Sequence, residues 1–260
     1  MVNEFSGTGN ALPVFLEFSA SDPAQSLSSA LAGALPAPPL EIDVIDVSYG
    51  RETDIDRRAA AVAGDVAATG ADRVGLAASC AASPMLAPVA RHVVRRGMRV
   101  VLAAAVDPSK VTEGHIRSSM EQISASLGLP PAQDAVAAID LRGSASLALA
   151  RIEGVLHGWV EDFLRLSGMD AADWPLVRDD LLDRYLRWHS FLLGALWAPP
   201  ADPGCQLDVF LTDSSADLAI FGPEAAVRRY RYPPRDCPAL VRGDVIDDLR
   251  TALASAVSVG

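Results

Sequence analysis

The residue whose surroundings best fit covalent chemistry is Cys80, in the run Val74-Gly-Leu-Ala-Ala-Ser-Cys-Ala-Ala-Ser83. A strand passing straight into a helix puts the residue at the apex in a strained turn, exposed at the edge of a sheet. The backbone N–H groups that follow, that of Ala81 first, then point at any oxyanion formed there. The residues two before and two after the apex must be small, and with Cys80 at the apex they are Ala78 and Ala82. A helix N-terminus also lowers a thiol's pKa, which favours the thiolate that attacks carbonyl carbon. Ser79, flanked by Ala77 and Ala81, is a competing apex. Small residues at such a turn also allow close packing of helix on sheet around an inert buried thiol, so the segment alone leaves both readings open.

The elements that must hold this turn can be read from hydrophobic periodicity. Pro13–Phe18, Glu41–Val47, Arg73–Ala78 and Val100–Ala105 are short apolar or β-branched runs and read as strands. Between them, Ser21–Leu35, the stretch from Thr53 to Gly70 and Pro84–Arg96 carry helical spacing, cap-like starts and glycine or proline stops. Strand and helix in alternation imply a parallel sheet with helices on both faces. Right-handed crossovers then bring the carboxyl ends of the strands, at Phe18, Ala78 and Ala105, to one edge, where such folds place their chemistry. From Asp107 to about Gly204 the pattern is helical only, with Val111–Leu127, Ala135–Leu166 and Trp174–Trp197 as the helices. Strand character returns at Leu207–Leu211 and around Arg228–Tyr232, before a last helix over Asp244–Val257. The organisation expected is one α/β domain over residues 1–260, with a helical lid inserted at 108–204.

Lys+Arg 22 against Asp+Glu 33 gives the 260-residue chain a net charge of −11, which argues against a general nucleic-acid binder. There is no long uncharged apolar run, and the first ten residues carry Glu4 and no basic cluster, so neither a membrane span nor a secretory leader is expected. The expected location is the cytoplasm. Cys80, Cys205 and Cys237 are too few and too scattered for a disulfide framework or a zinc site. No glycine-rich nucleotide loop and no metal-ligand spacing is present, so no cofactor is expected.

Three passages give the chain a family likeness. Tyr49-Gly50-Arg51-Glu52 is similar to a Pro-Gly-Arg-Glu passage, the run from Cys80 through Ala90-Arg91 and Gly97 to Val100 is similar to a nucleophile helix, and Val100–Asp107 ends a strand in Val-Asp-Pro. In these the chain resembles the thioesterases of polyketide and nonribosomal peptide assembly lines, which are α/β-hydrolases with a helical lid. The resemblance implies an α/β-hydrolase-like, mostly parallel sheet. It also implies that an acyl or peptidyl group passes from the phosphopantetheine of a carrier protein to an enzyme nucleophile, and is released by hydrolysis, transfer or cyclisation. Alignment on Ala90-Arg91 and Gly97 puts Cys80 at the nucleophile position and Asp107 where some members keep their acid.

In that family a histidine on the loop after the last strand acts as general base. Here the loop reads Tyr232-Pro-Pro-Arg-Asp-Cys-Pro, and Cys237 stands at the histidine position. The four histidines are His92, His115, His157 and His189, of which His189 lies on the helix leading back to the sheet and is a secondary candidate. Asp213 and Asp217, after the Leu207–Leu211 strand, are alternative acids or turn caps. Two functions follow: acyl transfer through Cys80 with little hydrolysis, or a retired site that binds a carrier protein or small-molecule acyl intermediate without turnover. The arginines near Arg91–Arg99 and Arg228–Arg235 are either a local docking patch for an acidic carrier or a solvated face of an arginine-rich protein, Lys110 being its one lysine.

Overall fold

A computed structural model describes residues 11–18, 26–35, 37–212, 217–233 and 239–258. The elements in chain order are β1 (Leu12–Glu17), α1 (Leu27–Ala30), β2 (Leu40–Asp43), α2 (Ile55–Ala68), β3 (Arg73–Ser79), α3 (Leu86–Arg95), β4 (Arg99–Val106), α4 (Glu113–Ser126), α5 (Gln133–Ala137), α6 (Ala145–Leu166), α7 (Trp174–Trp197), β5 (Leu207–Leu211), β6 (Val227–Arg231) and α8 (Gly243–Ser258). They fall into two compact units. The first is formed by Met1–Asp46, Ile55–Lys110 and Pro199–Gly260, the second by Val47–Asp54 and Val111–Ala198.

The first unit is built on a six-stranded sheet of order β2-β1-β3-β4-β5-β6, with every neighbouring pair parallel. Its central strands are apolar on both faces, as a sheet covered by helices requires. Phe15, Ala77, Leu102, Ala104, Val106 and Phe210 pack with Leu27 of α1 and with Val245, Leu249 and Leu253 of α8. The alternate residues, such as Val14, Leu76, Ala103 and Val209, are equally buried and point to the opposite face by strand periodicity. Val62 and Val66 of α2 and Val89 and Val93 of α3 are buried there too. Gly70 and Gly97 close α2 and α3 at φ +73° and +84°, a backbone region that only glycine enters freely.

Several boundaries differ from the periodicity reading for local reasons. The second strand stops at Asp43, whose carboxylate accepts the Ile45 N–H at 3.1 Å and turns the chain. The first helix begins at Leu27, capped by the Ser26 hydroxyl, while residues 21–25 lie outside the described residues. The helix expected from Pro84 starts as a 3₁₀ turn over Cys80–Met85 and becomes α-helical at Leu86. Pro84 has no N–H to donate to the turn before it. The single stretch expected at Ala135–Leu166 is two helices, because Gly143 takes φ +100° and Ser144 caps a new start at Ala145.

The second unit is helical. α6 and α7 form its long pair, and Arg51 bridges them by ion pairs to Glu153 at 3.0 Å and Asp183 at 3.6 Å. The indole N–H of Trp188 on α7 donates to Ser119 on α4 at 2.8 Å. That Val47–Asp54 belongs to this unit was not visible in the sequence, since the segment lies between two elements of the sheet unit.

Arg58 of α2 is 1 % exposed and donates to the carbonyl of Val44 at 2.8 Å, holding the turn that follows β2. Replacing Arg58 by Ala should cost about 3 kcal/mol, combining a cavity with an unpaired buried carbonyl. Urea unfolding checks this, and a loss under ~1 kcal/mol would show that the guanidinium is dispensable.

Candidate functional site

At the carboxyl edge of the sheet the chain passes from β3 into helix through a single residue. Ser79 is still extended, at φ −122° and ψ 151°, and Cys80 takes φ +49°. The 3₁₀ turn Cys80–Met85 and then α3 follow without a loop. Ala78 and Ala82 are buried, so larger side chains at either position would clash with this tight reversal, whereas Cys80 is exposed. Of the two apex candidates, the left-handed backbone belongs to Cys80 and Ser79 remains in the strand. The Cys80 carbonyl accepts the Ser109 N–H at 3.3 Å, which ties the turn to the segment after β4.

Asp107 ends that neighbouring strand. It takes φ +41°, and Cys80 and Asp107 are the two non-glycine residues with positive φ among the described residues. A left-handed conformation costs an ordinary side chain roughly 1–2 kcal/mol, and such outliers gather at functional sites. Register places the two side by side, because Ser79 of β3 is opposite Val106 of β4. The Asp107 N–H donates to Phe210 at 2.9 Å, while its carboxylate accepts the Thr212 N–H at 2.6 Å and also the Thr212 hydroxyl. The acid is therefore held against the end of β5. Thr212 escaped the sequence reading, which looked for carboxylates after this strand; its position next to Leu211 was the available signal. Asp217 caps a 3₁₀ turn by accepting the Ala219 N–H at 2.8 Å, which is the turn-capping role weighed for it.

Cys237 and Asp213 lie outside the described residues, as does Asp236. The residues on either side of the Cys237 segment are joined by Arg242, which donates to the Pro233 carbonyl at 2.8 Å and to both carboxylate oxygens of Asp244 at 2.8 and 3.2 Å. Its guanidinium lies 5.4 Å from the centre of the Tyr232 ring.

None of the four histidines lies on the carboxyl edge of the sheet unit. His92 is on α3, its Nε2 3.1 Å from Asp56 on α2. The other three belong to the helical unit. His115 closes a capping box with Thr112 at the start of α4, and His157 is exposed on α6. His189 is fully buried on α7, with Nδ1 2.8 Å from the Tyr185 carbonyl and Nε2 without a partner among the described residues. Burial pushes its pKa down to about 4, so it is neutral near pH 7. Cys205 is pushed up to about 11 by burial, helped by the charge of Asp202, and stays a thiol.

The arginine patch on α3 is partly committed to structure. Arg91 pairs with Asp56 at 3.5 Å, and Arg96 donates to the carbonyls of Ala60 at 2.7 Å and His92 at 3.2 Å. Among the described residues, no group of three or more His, Cys, Asp or Glu could hold a metal ion, and no helix is long and apolar enough to cross a membrane.

No protein-family model matches the sequence, and no curated protein matches it. Solved structures match its fold. A four-domain holo nonribosomal peptide synthetase bound to AMP and glycine aligns with TM-score 0.54 at 12% identity, over 96% of this chain and 20% of that one. The chain thus spans a fifth of that protein's length. The NocB thioesterase domain, in covalent complex with a fluorophosphonate nocardicin G analogue, aligns with TM-score 0.52 at 15% identity over 96% of both chains. The bottromycin epimerase BotH, in complex with bottromycin A2, aligns with TM-score 0.50 at 14% identity, over 97% of this chain and 93% of that one. Together with the all-parallel sheet and its flanking helices, these likenesses show an α/β-hydrolase-like fold.

Two measurements test the local chemistry. Because Cys80 is left-handed, Cys80→Gly should be more stable than Cys80→Ala by about 1 kcal/mol in denaturant unfolding. Equal stabilities would mean that the turn carries no strain. For His189 the native pKa is depressed from 6.5 to about 4, so the unfolded chain binds the extra proton. Stability is then fully present above pH 6.5 and lost as pH falls from 6.5 through 4, by about 3 kcal/mol. His189→Gln should flatten the urea midpoint over that window; an unchanged slope would contradict a buried neutral imidazole.

Proposed function

We propose that this protein is a thioesterase-like acyl-transfer enzyme of natural-product biosynthesis, with Cys80 as its covalent nucleophile and a carrier-protein thioester as its acyl donor. The observation that carries this reading is the left-handed strand-to-helix turn at Cys80, which exposes the thiol at the sheet's carboxyl edge. The fold likeness to a thioesterase domain captured in a covalent complex supports it.

In the first step the Cys80 thiolate adds to the thioester carbonyl. The oxyanion faces the backbone N–H groups that open the helix, that of Ala81 first. The tetrahedral species collapses, the bond from carbon to the phosphopantetheine sulfur breaks, and the departing thiolate takes a proton from solvent. One thioester has replaced another, so the exchange is close to thermoneutral. In the second step an amine or hydroxyl, on a separate acceptor or elsewhere on the same acyl chain, adds to the new thioester. Cys80 leaves as thiolate and the nucleophile's proton passes to solvent. Activating water calls for a general base. The sheet unit's one histidine is paired with Asp56 on α2, and the acid at the edge is engaged by Thr212. Transfer or cyclisation is therefore favoured over hydrolysis. Asp107 acts as a positioning residue, holding the segment whose Ser109 N–H reaches the Cys80 carbonyl.

The same two commitments favour a second reading, in which the site is retired and the fold binds carrier or intermediate without turnover. Intact-mass measurement after incubation with an acyl thioester separates them. Acyl transfer predicts a stable adduct on wild type and on Cys205→Ala, absent from Cys80→Ala, and discharged faster by an added amine than by water. Cys205, kept protonated, should take up label at least ~100-fold more slowly. No adduct on wild type over a panel of acyl chains would leave the binding reading.

A further inference from the structure

One flank of the sheet carries a feature that the chemistry above does not use. β6 is the last strand in the order β2-β1-β3-β4-β5-β6, and no strand pairs with its outer side among the described residues. Its inner side is fixed by β5. The Ala226 carbonyl accepts the Leu207 N–H at 2.9 Å, and the Tyr232 N–H donates to the Leu211 carbonyl at 3.0 Å. Backbone direction alternates along a strand, so Ala226, Arg228, Tyr230 and Tyr232 bond inward, while Val227, Arg229 and Arg231 turn their N–H and C=O groups outward. Such an edge is a template for a further strand.

The sequence of β6 decides what that strand can be. In Val-Arg-Arg-Tyr-Arg the three arginines are all exposed. Arg228 is directed to Asp208 at 3.8 Å and to the Tyr230 hydroxyl at 3.3 Å. Arg229 and Arg231 lie on the other face, with Val209 and Leu211 as register neighbours, and have no ion-pair or hydrogen-bond partner among the described residues. The acids around the strand are placed elsewhere. Asp208 shares the face of Arg228 and Tyr230, Asp248 accepts the Tyr232 hydroxyl at 2.7 Å, and Glu224 stands in the turn before the strand.

A strand laid antiparallel on this edge makes its hydrogen-bonded pairs with the outward residues, so alternate side chains of the newcomer stand opposite Arg229 and Arg231. Opposite charges there stabilise the pairing, and like charges oppose it. The residue between them faces Tyr230, whose ring stacks on Phe210 at 4.7 Å between centres, and an apolar side chain suits that position. A second copy of the chain fits poorly. Its β6 would set arginine against arginine. Its β2 carries Glu41 and Asp43 but offers few backbone groups: Pro39 has no N–H, and the Asp43 carbonyl already accepts the Asp46 N–H at 3.0 Å.

We propose that the β6 edge is a docking site for an extended segment of another protein, with acidic residues at alternate positions and apolar residues between them, which joins the sheet as a further strand. Main-chain hydrogen bonds hold the segment, and Arg229 and Arg231 select it. The edge lies three strands from β3 in the sheet order and is independent of the chemistry at Cys80.

Fluorescence anisotropy of the full chain with a labelled peptide, Thr-Val-Glu-Val-Glu-Val-Thr, tests the assignment. The peptide should bind, and added salt should weaken it. Two control peptides, one with lysine for glutamate and one N-methylated at both glutamates, should bind at least ~10-fold more weakly, because one reverses the charge and the other removes the N–H groups that face β6. Arg229→Glu and Arg231→Glu each turn an attractive cross-strand pair into a repulsive one and should weaken binding about 10-fold, while Cys80→Ala leaves it unchanged. Both arginines are exposed, so these variants should keep the wild-type Tm. No binding, binding that tolerates N-methylation, or binding that survives both substitutions would overturn the proposal, as would sedimentation showing that copies of the chain occupy the edge instead.

Discussion

A parallel strand that runs into a helix with no intervening loop must reverse direction within one residue, and that residue has to enter the left-handed region. Here it is Cys80, at φ +49°. The cost is roughly 1–2 kcal/mol for a side chain other than glycine. The surrounding structure has to meet it, and does so with a buried strand on one side and a buried helix on the other. Ala78 and Ala82 are small because the two elements approach each other there, and Ala77 and Ala90 are fully buried where they pack. Exposure of the thiol follows from the same geometry, since a left-handed apex at a sheet edge projects its side chain away from both elements.

The neighbouring strand repeats the device. Asp107 also takes a left-handed conformation, and its carboxylate is bound to Thr212 at the end of β5. With the Ser109 N–H on the Cys80 carbonyl, the ends of three adjacent strands become one connected edge. An acid held in this way positions backbone more readily than it orients an imidazole, and the chain has no histidine on that edge. The acyl transfer proposed for Cys80 would rely on a nucleophile that ionises without a base, which is the property that separates cysteine from serine.

The two edges of the sheet show contrasting ways of placing charge. At the carboxyl edge the carboxylate of Asp107 is satisfied within the protein, by a backbone N–H and a hydroxyl. At the amino edge Asp208 is itself buried, with the Tyr230 hydroxyl at 3.4 Å and the exposed Arg228 at 3.8 Å from its Oδ2. An α/β fold of this kind accommodates many unrelated activities, as the thioesterase domain and the epimerase among its structural matches illustrate. What an individual chain does is decided by such local residues.

The alternating strands and helices, the helical stretch between them and the parallel sheet were legible in the sequence, because each depends on periodicity and on turn residues within a short window. The apex at Cys80 was legible as far as the choice between Cys80 and Ser79, since small residues flank both. Tertiary structure made that choice by ending the strand at Ser79, a matter of register with β4 that no local pattern encodes. The Asp107–Thr212 contact joins residues far apart in sequence, the burial of His189 depends on how the helices of its unit pack, and Val47–Asp54 joins that unit through Arg51. The sequence by itself determined which elements form and which side chains are available for chemistry, because dihedral preference and hydrophobic period are local. Which of those side chains meet, and which are buried away from water, depended on strand register and packing, which are set by the whole fold.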